Sequence, residues 1–327
     1  MPRRILALLT LVACSLSLAT AASARVEGGS ISLVAYSTPR AAYGDLIPAF
    51  QKTTGGKDTS FSQSYGASGE QARAVLSGLK ADVVALSLEP DVTTLVNKGI
   101  VPRNWKNDKW GGIVTRSVVV FAVRKGNPKK IRDWEDLVRP GVQIVTPNVQ
   151  TSGGAKWNIM AAYGAQLRKK KTHAQAVVYL RNLYKHIVSQ DKSAREALQT
   201  FLAGRGDVLL AYENEAIFAN QNNQEVPYVI PKATIRIENP IAVTATSQNK
   251  PTAKAFLRYL RTTAAQKIFA QNGYRPVVPA AAKGFSFPVR PQLFSIKWLG
   301  GWAKVDNRFF NPNSGIVTRI QREVGTN

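Results

Sequence analysis

The residues of this chain that could do chemistry are hydroxyls and glycines set where apolar runs give way to helical stripes. Tyr36-Ser37-Thr38-Pro39, Tyr65-Gly66-Ala67-Ser68-Gly69, Thr151-Ser152-Gly153-Gly154 and Gln190-Asp191-Lys192-Ser193 all have this placement. A helix start presents unpaired backbone N–H groups and the positive end of the helix dipole. Several such starts aimed at one point form an anion cage that needs no charged side chain. Any one of these hydroxyls is explained by helix capping alone. Glycine beside the cap, at Ser68-Gly69 and Ser152-Gly153-Gly154, adds something that capping does not require, because it lets a ligand approach the backbone closely.

Other chemistries lack their residues. Ser68 stands in Gly-Ala-Ser-Gly rather than in a Gly-x-Ser-x-Gly elbow, and no His-plus-acid pair has matching spacing. His173 and His186 lie thirteen apart in a basic helical region and read as surface or partly buried residues. Glu213 and Glu215, two apart, read as an extended pair sharing one face and bonding backbone or arginine. A single Cys and two His exclude a disulfide scaffold and Cys- or His-rich metal sites. No phosphate-loop or dinucleotide fingerprint occurs, and no cofactor is expected.

The chain has 327 residues, 44 Lys+Arg and 20 Asp+Glu, hence a net charge of 44 − 20 = +24. With 44% hydrophobic residues it is an ordinary globular composition, so the positive charge points to an anionic partner. Arg3 and Arg4, the apolar run 5–18 and Ala22-Ser23-Ala24 follow the pattern of a secretory leader cleaved after Ala24. Leu11-Val12-Ala13-Cys14 offers a second reading, a lipoprotein box that would leave Cys14 lipidated. Cleavage after Ala24 leaves 327 − 24 = 303 residues, no Cys, and 24 − 2 = +22 charges. Export disfavours nucleic acid as the partner. No later stretch reaches the ~20 apolar residues of a membrane span.

From residue 30 onward, strand-like and helix-like segments alternate, the pattern of α/β layers with largely parallel sheets. The run 31–35 is a strand, Thr38 reads as the cap of a helix with Pro39 in its first turn, and Pro48 should kink or end that helix early. Ser68 with Gln71 and Ser193 with Glu196 have capping-box spacing. The runs 81–88, 118–123, 142–145 and 208–211 are further strands. Arg168-Lys169-Lys170-Lys171 is a basic helix end.

Taken together these segments resemble the periplasmic sulfate-binding proteins that feed sulfate/thiosulfate ABC importers. The most specific pieces are Tyr65-Gly66-Ala67-Ser68-Gly69-Glu70-Gln71-Ala72-Arg73, Val123-Arg124-Lys125-Gly126-Asn127-Pro128, Thr151-Ser152-Gly153-Gly154-Ala155-Lys156-Trp157-Asn158 and Gly300-Gly301-Trp302-Ala303-Lys304. The resemblance covers nearly the whole mature chain. It implies a two-lobe, type II-like periplasmic-binding-protein fold. Each α/β lobe would have a mixed, mostly parallel sheet flanked by helices, with two hinge crossovers between lobes. Lobe one is expected at 25–120 plus 238–275, lobe two at 121–237, and a tail packing across the lobes at 276–327.

The resemblance also implies the ligand contacts. These are the N–H groups of Ser37 and Ser68 with the Ser68 hydroxyl adding, the Ser152 hydroxyl, the N–H groups of Gly153, Gly154 and Ala194, and a side-chain donor at Tyr212. The family has Asp where this chain has Ser37, a change that leaves the backbone N–H in place. It has Trp where this chain has Tyr212, so an indole N–H becomes a phenol that also accepts. That change could shift affinity or favour thiosulfate, or the ring could merely fill space. A donor-only site suits a fully ionised dianion, because a protonated phosphate would bury an O–H without an acceptor at ~1–3 kcal/mol. The implied role is binding without catalysis, as a periplasmic monomer that delivers sulfate or thiosulfate to a permease and ATPase. The rivals are another tetrahedral oxyanion, a basic exported protein holding polyanions or envelope lipid, and a hydrolase with Ser152 as nucleophile, which lacks a base.

Overall fold

The computed structural model describes residues 29–288 and 290–325; the expected leader and Cys14 lie outside them. The first half-unit runs β1 (Ser30–Tyr36), α1 (Arg40–Gln51), β2 (Ser60–Gly66), α2 (Ser68–Leu76), β3 (Val83–Ala85) and α3 (Glu89–Asn97). After the long strand β4 (Ile113–Val123) come β5 (Ile144–Pro147), α4 (Gly153–Arg168), α5 (His173–Lys185), β6 (Ile187–Asp191), α6 (Ala194–Leu202), β7 (Val208–Tyr212) and α7 (Glu213–Gln221). The chain closes with β8 (Tyr228–Val229), β9 (Ala233–Val243), α8 (Lys250–Tyr259), α9 (Thr263–Gln271), β10 (Arg275–Pro276), β11 (Gln292–Ser295), α10 (Trp302–Phe310) and α11 (Ile316–Val324).

Two parallel trios form the sheets: β1 pairs with β2 and β3, and β5 pairs with β6 and β7. The strands β4 and β9 join the trios. Residues 119–123 of β4 pair antiparallel with β7, residues 113–118 pair with β9, and the end of β9 pairs with β3. The order is therefore β2-β1-β3-β9-β4-β7-β5-β6, with the chain crossing between lobes along two adjacent strands. Loops after parallel strands all open on the same end of a sheet, which is where α/β proteins place ligands.

Helices cover both faces of each sheet, so the inner strands β3, β5 and β7 are buried on both sides, while the edge strands β2 and β6 stay largely polar. Under α1, α8 and α9, Ile31, Leu33, Phe50, Phe256 and Phe269 pack together, with Phe256 and Phe50 ring centres 5.1 Å apart. Val34, Val84, Leu86 and Leu95 fill the opposite face. In the second lobe Trp134 and Trp157 anchor one face, where the α10 residue Trp302 meets Trp157 edge-on at 4.7 Å. Phe201 and Leu198 fill the other face. Among the described residues no helix is long and apolar enough to cross a membrane.

Several local expectations are corrected. Pro39, not Thr38, precedes α1, and the Thr38 hydroxyl meets the Tyr274 hydroxyl at 2.8 Å. Pro48 lies inside α1, which continues to Gln51 because Leu46, Ile47 and Phe50 are packed in the core. Ala67 caps α2 without a side-chain bond, and Gln71 bonds Ser64 instead. The expected strand 81–88 stops at Ala85, and α3 starts at Glu89 with Pro90 in its first turn. Glu213 and Glu215 start a helix and are not in an extended segment.

Candidate functional site

Six strand-to-helix junctions converge: β1–α1, β2–α2, β3–α3, β5–α4, β6–α6 and β7–α7. They enclose a cavity of about 10 Å³, room for one small species. All seven residues singled out in the sequence, Ser37, Ser68, Ser152, Gly153, Gly154, Ala194 and Tyr212, line it, together with Tyr36, Thr38, Ala67 and Ser87. A cavity of about 610 Å³ also exists, where β1 and β3 begin, around Ser30, Leu76, Asp82 and Asn249, but none of these helix starts reaches it. Size alone therefore does not mark the site.

Backbone donors dominate the small cavity. The N–H groups of Ser37, Ser68, Gly153, Gly154 and Ala194 have no acceptor among the described residues. Ser68, Gly153 and Ala194 are first helical residues, which cannot bond within their own helices. Ser152 precedes α4 but makes no capping bond, leaving its hydroxyl available to the cavity. Ser193 does cap α6, accepting from the Glu196 N–H at 3.2 Å while Glu196 returns a bond to the Ser193 N–H at 3.0 Å. This box holds Ala194 in place. Ser193→Ala should reduce stability by ~0.5–2 kcal/mol in urea unfolding and weaken ligand binding through α6. An unchanged unfolding midpoint would count against the box.

The Ser68 hydroxyl departs from expectation. It donates to Asp91 at 2.5 Å and accepts from the Ser87 N–H at 2.9 Å, so its proton faces α3, not the cavity. Burial raises the Asp91 pKa, against the opposing pull of Lys156 and of Ser68 itself. Burial likewise pushes the Tyr212 hydroxyl well above its usual range, so it remains an O–H.

Two arginines beside the site are each paired with a glutamate. Arg195 makes two bonds to Glu215, at 2.8 and 2.9 Å, and reaches the Thr38 carbonyl at 3.1 Å. Arg275 grips Glu213 at 2.7 and 3.0 Å. No Asp, Glu, Lys, Arg or His lines the cavity, and the described residues contain no cluster of metal-ligating side chains. The two histidines lie elsewhere, His173 against Tyr163 and His186 against the Val142 carbonyl.

Bonds between the lobes hold the cleft shut. The Gly69 N–H donates to the Thr151 carbonyl at 3.0 Å, the Trp157 indole to the Ser87 carbonyl at 3.0 Å, and the Ser87 and Tyr212 hydroxyls meet at 2.7 Å. Sequence reasoning missed Ser87 by reading it as strand. The Glu89-Pro90 pair that follows, with proline in a helical first turn, was the available signal.

The sequence profile of bacterial extracellular solute-binding proteins matches residues 31–275. The chain belongs to that family. It is 39% identical to a sulfate-binding protein of Synechococcus elongatus over 97% of this chain and 93% of that one. It is 34% identical to a thiosulfate-binding protein of Pseudomonas aeruginosa, over 88% of this chain and 90% of that one. Among solved structures, the sulfate-binding protein SubI of Mycobacterium tuberculosis H37Rv superposes with a TM-score of 0.84 at 44% identity, covering 86% of this chain and all of that one.

Proposed function

We propose that this protein captures sulfate or thiosulfate in its interlobe cleft and delivers it to the permease and ATPase subunits of an ABC importer. In this reading it acts as a periplasmic monomer after loss of residues 1–24. Lobe one comprises 25–120 and 238–275, lobe two comprises 121–237, and 276–327 is a tail across them. The observation that carries the proposal is the set of five backbone N–H groups without acceptors among the described residues around one small uncharged cavity. Such donors satisfy a dehydrated dianion, whose oxygens only accept, and they leave no base or nucleophile pair for chemistry on it. The relatives named for sulfate, at up to 39% identity, support sulfate first, and the one named for thiosulfate, at 34%, supports thiosulfate second.

Calorimetry on the mature chain tests this. One-to-one, saturable sulfate or thiosulfate binding is expected; loose uptake of polyanions alone would overturn the reading. The positive surface should steer, not hold, because the proposed contacts are uncharged. Raising salt should slow association while leaving dissociation nearly unchanged in stopped-flow measurements. A salt effect mainly on dissociation would place charged side chains in the contact set.

A further inference from the structure

We propose that the side-chain donor opposite the helix starts is a shared hydroxyl pair, Ser87 with Tyr212, and that Ser87 is a ligand-contacting residue. The proposal rests on the anion-binding reading above and deepens it. The two oxygens are 2.7 Å apart, both side chains are about 1% exposed, and both line the cavity from opposite lobes. The pair holds two protons. Their mutual bond uses one, and the other is always left over. If Ser87 donates to Tyr212, the phenol proton is free; if Tyr212 donates, the serine proton is free.

Among the described residues no other acceptor takes that second proton. The Ser87 N–H is taken by the Ser68 hydroxyl, and its carbonyl receives the Trp157 indole and the Asn239 amide, at 3.0 and 3.1 Å. These bonds fix the Ser87 backbone and leave its side chain facing Tyr212 and the cavity. The Asn239 amide also lies against the Tyr212 oxygen, where it brings a proton and does not remove one. A buried O–H without an acceptor is costly, and a bound oxyanion supplies the missing acceptor. The donor can come from either lobe, so losing one hydroxyl lets the other turn to the ligand.

The test is sulfate titration, at one pH and ionic strength, of the parent, S87A, Y212F and the double variant, with ligand-free melting curves on each. The single variants should lose comparable, few-fold amounts, since each keeps one donor. Adding S87A to Y212F should then cost about tenfold or more, the size of a hydrogen bond to a charged group. S87C on the same background leaves no empty space, replaces the hydroxyl by a larger, weak donor, and should lose at least as much. If S87A and S87C leave the affinity of Y212F unchanged, Tyr212 is the sole donor and the proposal fails. Failure of the parent to bind sulfate or thiosulfate would instead overturn the anion-binding reading on which it rests.

Discussion

Alanine at Gly153 should abolish tight anion binding while leaving the ligand-free fold intact. A Cβ there would fall 2.6 Å from the Ser87 Oγ and 2.7 Å from the Leu88 Cδ2, both on the facing lobe. Atoms that close cannot coexist, so the methyl group must hold the cleft ajar by a substantial fraction of an ångström. The donors of α2, α4 and α6 then no longer converge. Weakening two or more hydrogen bonds to a dianion at ~1.5–3 kcal/mol each predicts a loss of about a hundredfold or more. Folding should survive because the clash lies between lobes joined through β4 and β9, and opening relieves it. Gly154→Ala is the control. Its Cβ would sit 3.3 Å from the Ser152 Oγ and 3.4 Å from the Ala194 Cβ, contacts that a small shift accommodates, so its loss should be clearly smaller. Calorimetry on both variants, with melting curves, decides it. Parent-like affinity for Gly153→Ala would mean that the start of α4 does not close against Ser87.

The candidate site was legible in the sequence because its main groups are backbone N–H groups, and their positions follow from where helices begin. Alternating apolar runs and small polar loops mark those beginnings without any tertiary information. Ser193 and Glu196 formed the box their spacing suggested, since both partners lie within one helical turn. Hydroxyls with distant partners were not readable in this way. Ser68 turns from capping toward Asp91, 23 residues on, and Thr38 toward Tyr274, 236 residues away. A capping pattern sees three or four residues, and tertiary contacts outcompete it. Pro48 shows the same limit: its penalty is local, but the packing of Phe50 against Phe256 keeps the last turn of α1 helical.

The positive charge points to the same class of ligand as the proposed site, for a reason only partly connected with that site. Arg195, next to the lining residue Ala194, and Arg275, bonded beside Tyr212, are held by Glu215 and Glu213, so the local field in the cavity comes mainly from dipoles. The carboxylates that sequence spacing left ambiguous thus have a definite task. They keep half-buried arginines from adding full charges beside the cavity, while those arginines fix the start of α7 directly behind Tyr212.

That arrangement predicts a pH-dependent cost for breaking the second pair. Glu213 is fully buried, and besides Glu213 the Arg275 guanidinium bonds only the Pro288 carbonyl among the described residues, with the Phe287 ring 5.6 Å away. Arg275→Met should destabilise the protein by ~3–5 kcal/mol near neutral pH, because it strands a buried carboxylate. Burial already raises the Glu213 pKa above its ordinary value against the pull of Arg275, and losing the arginine must raise it further. A carboxyl whose folded pKa exceeds the unfolded one binds its proton more tightly in the folded state. Its favourable contribution is full below the unfolded pKa and is lost as pH rises through the folded pKa. The deficit of Arg275→Met relative to the parent should therefore be small near about pH 4.5 and grow toward a plateau above the variant's folded pKa. Urea unfolding of both proteins across that range measures it. Glu213→Gln removes the titrating group, so its own deficit should lack this rise over the same range. A deficit for Arg275→Met that does not change with pH would assign the arginine's contribution to packing on Phe287 and the Pro288 bond, and not to the charge of Glu213.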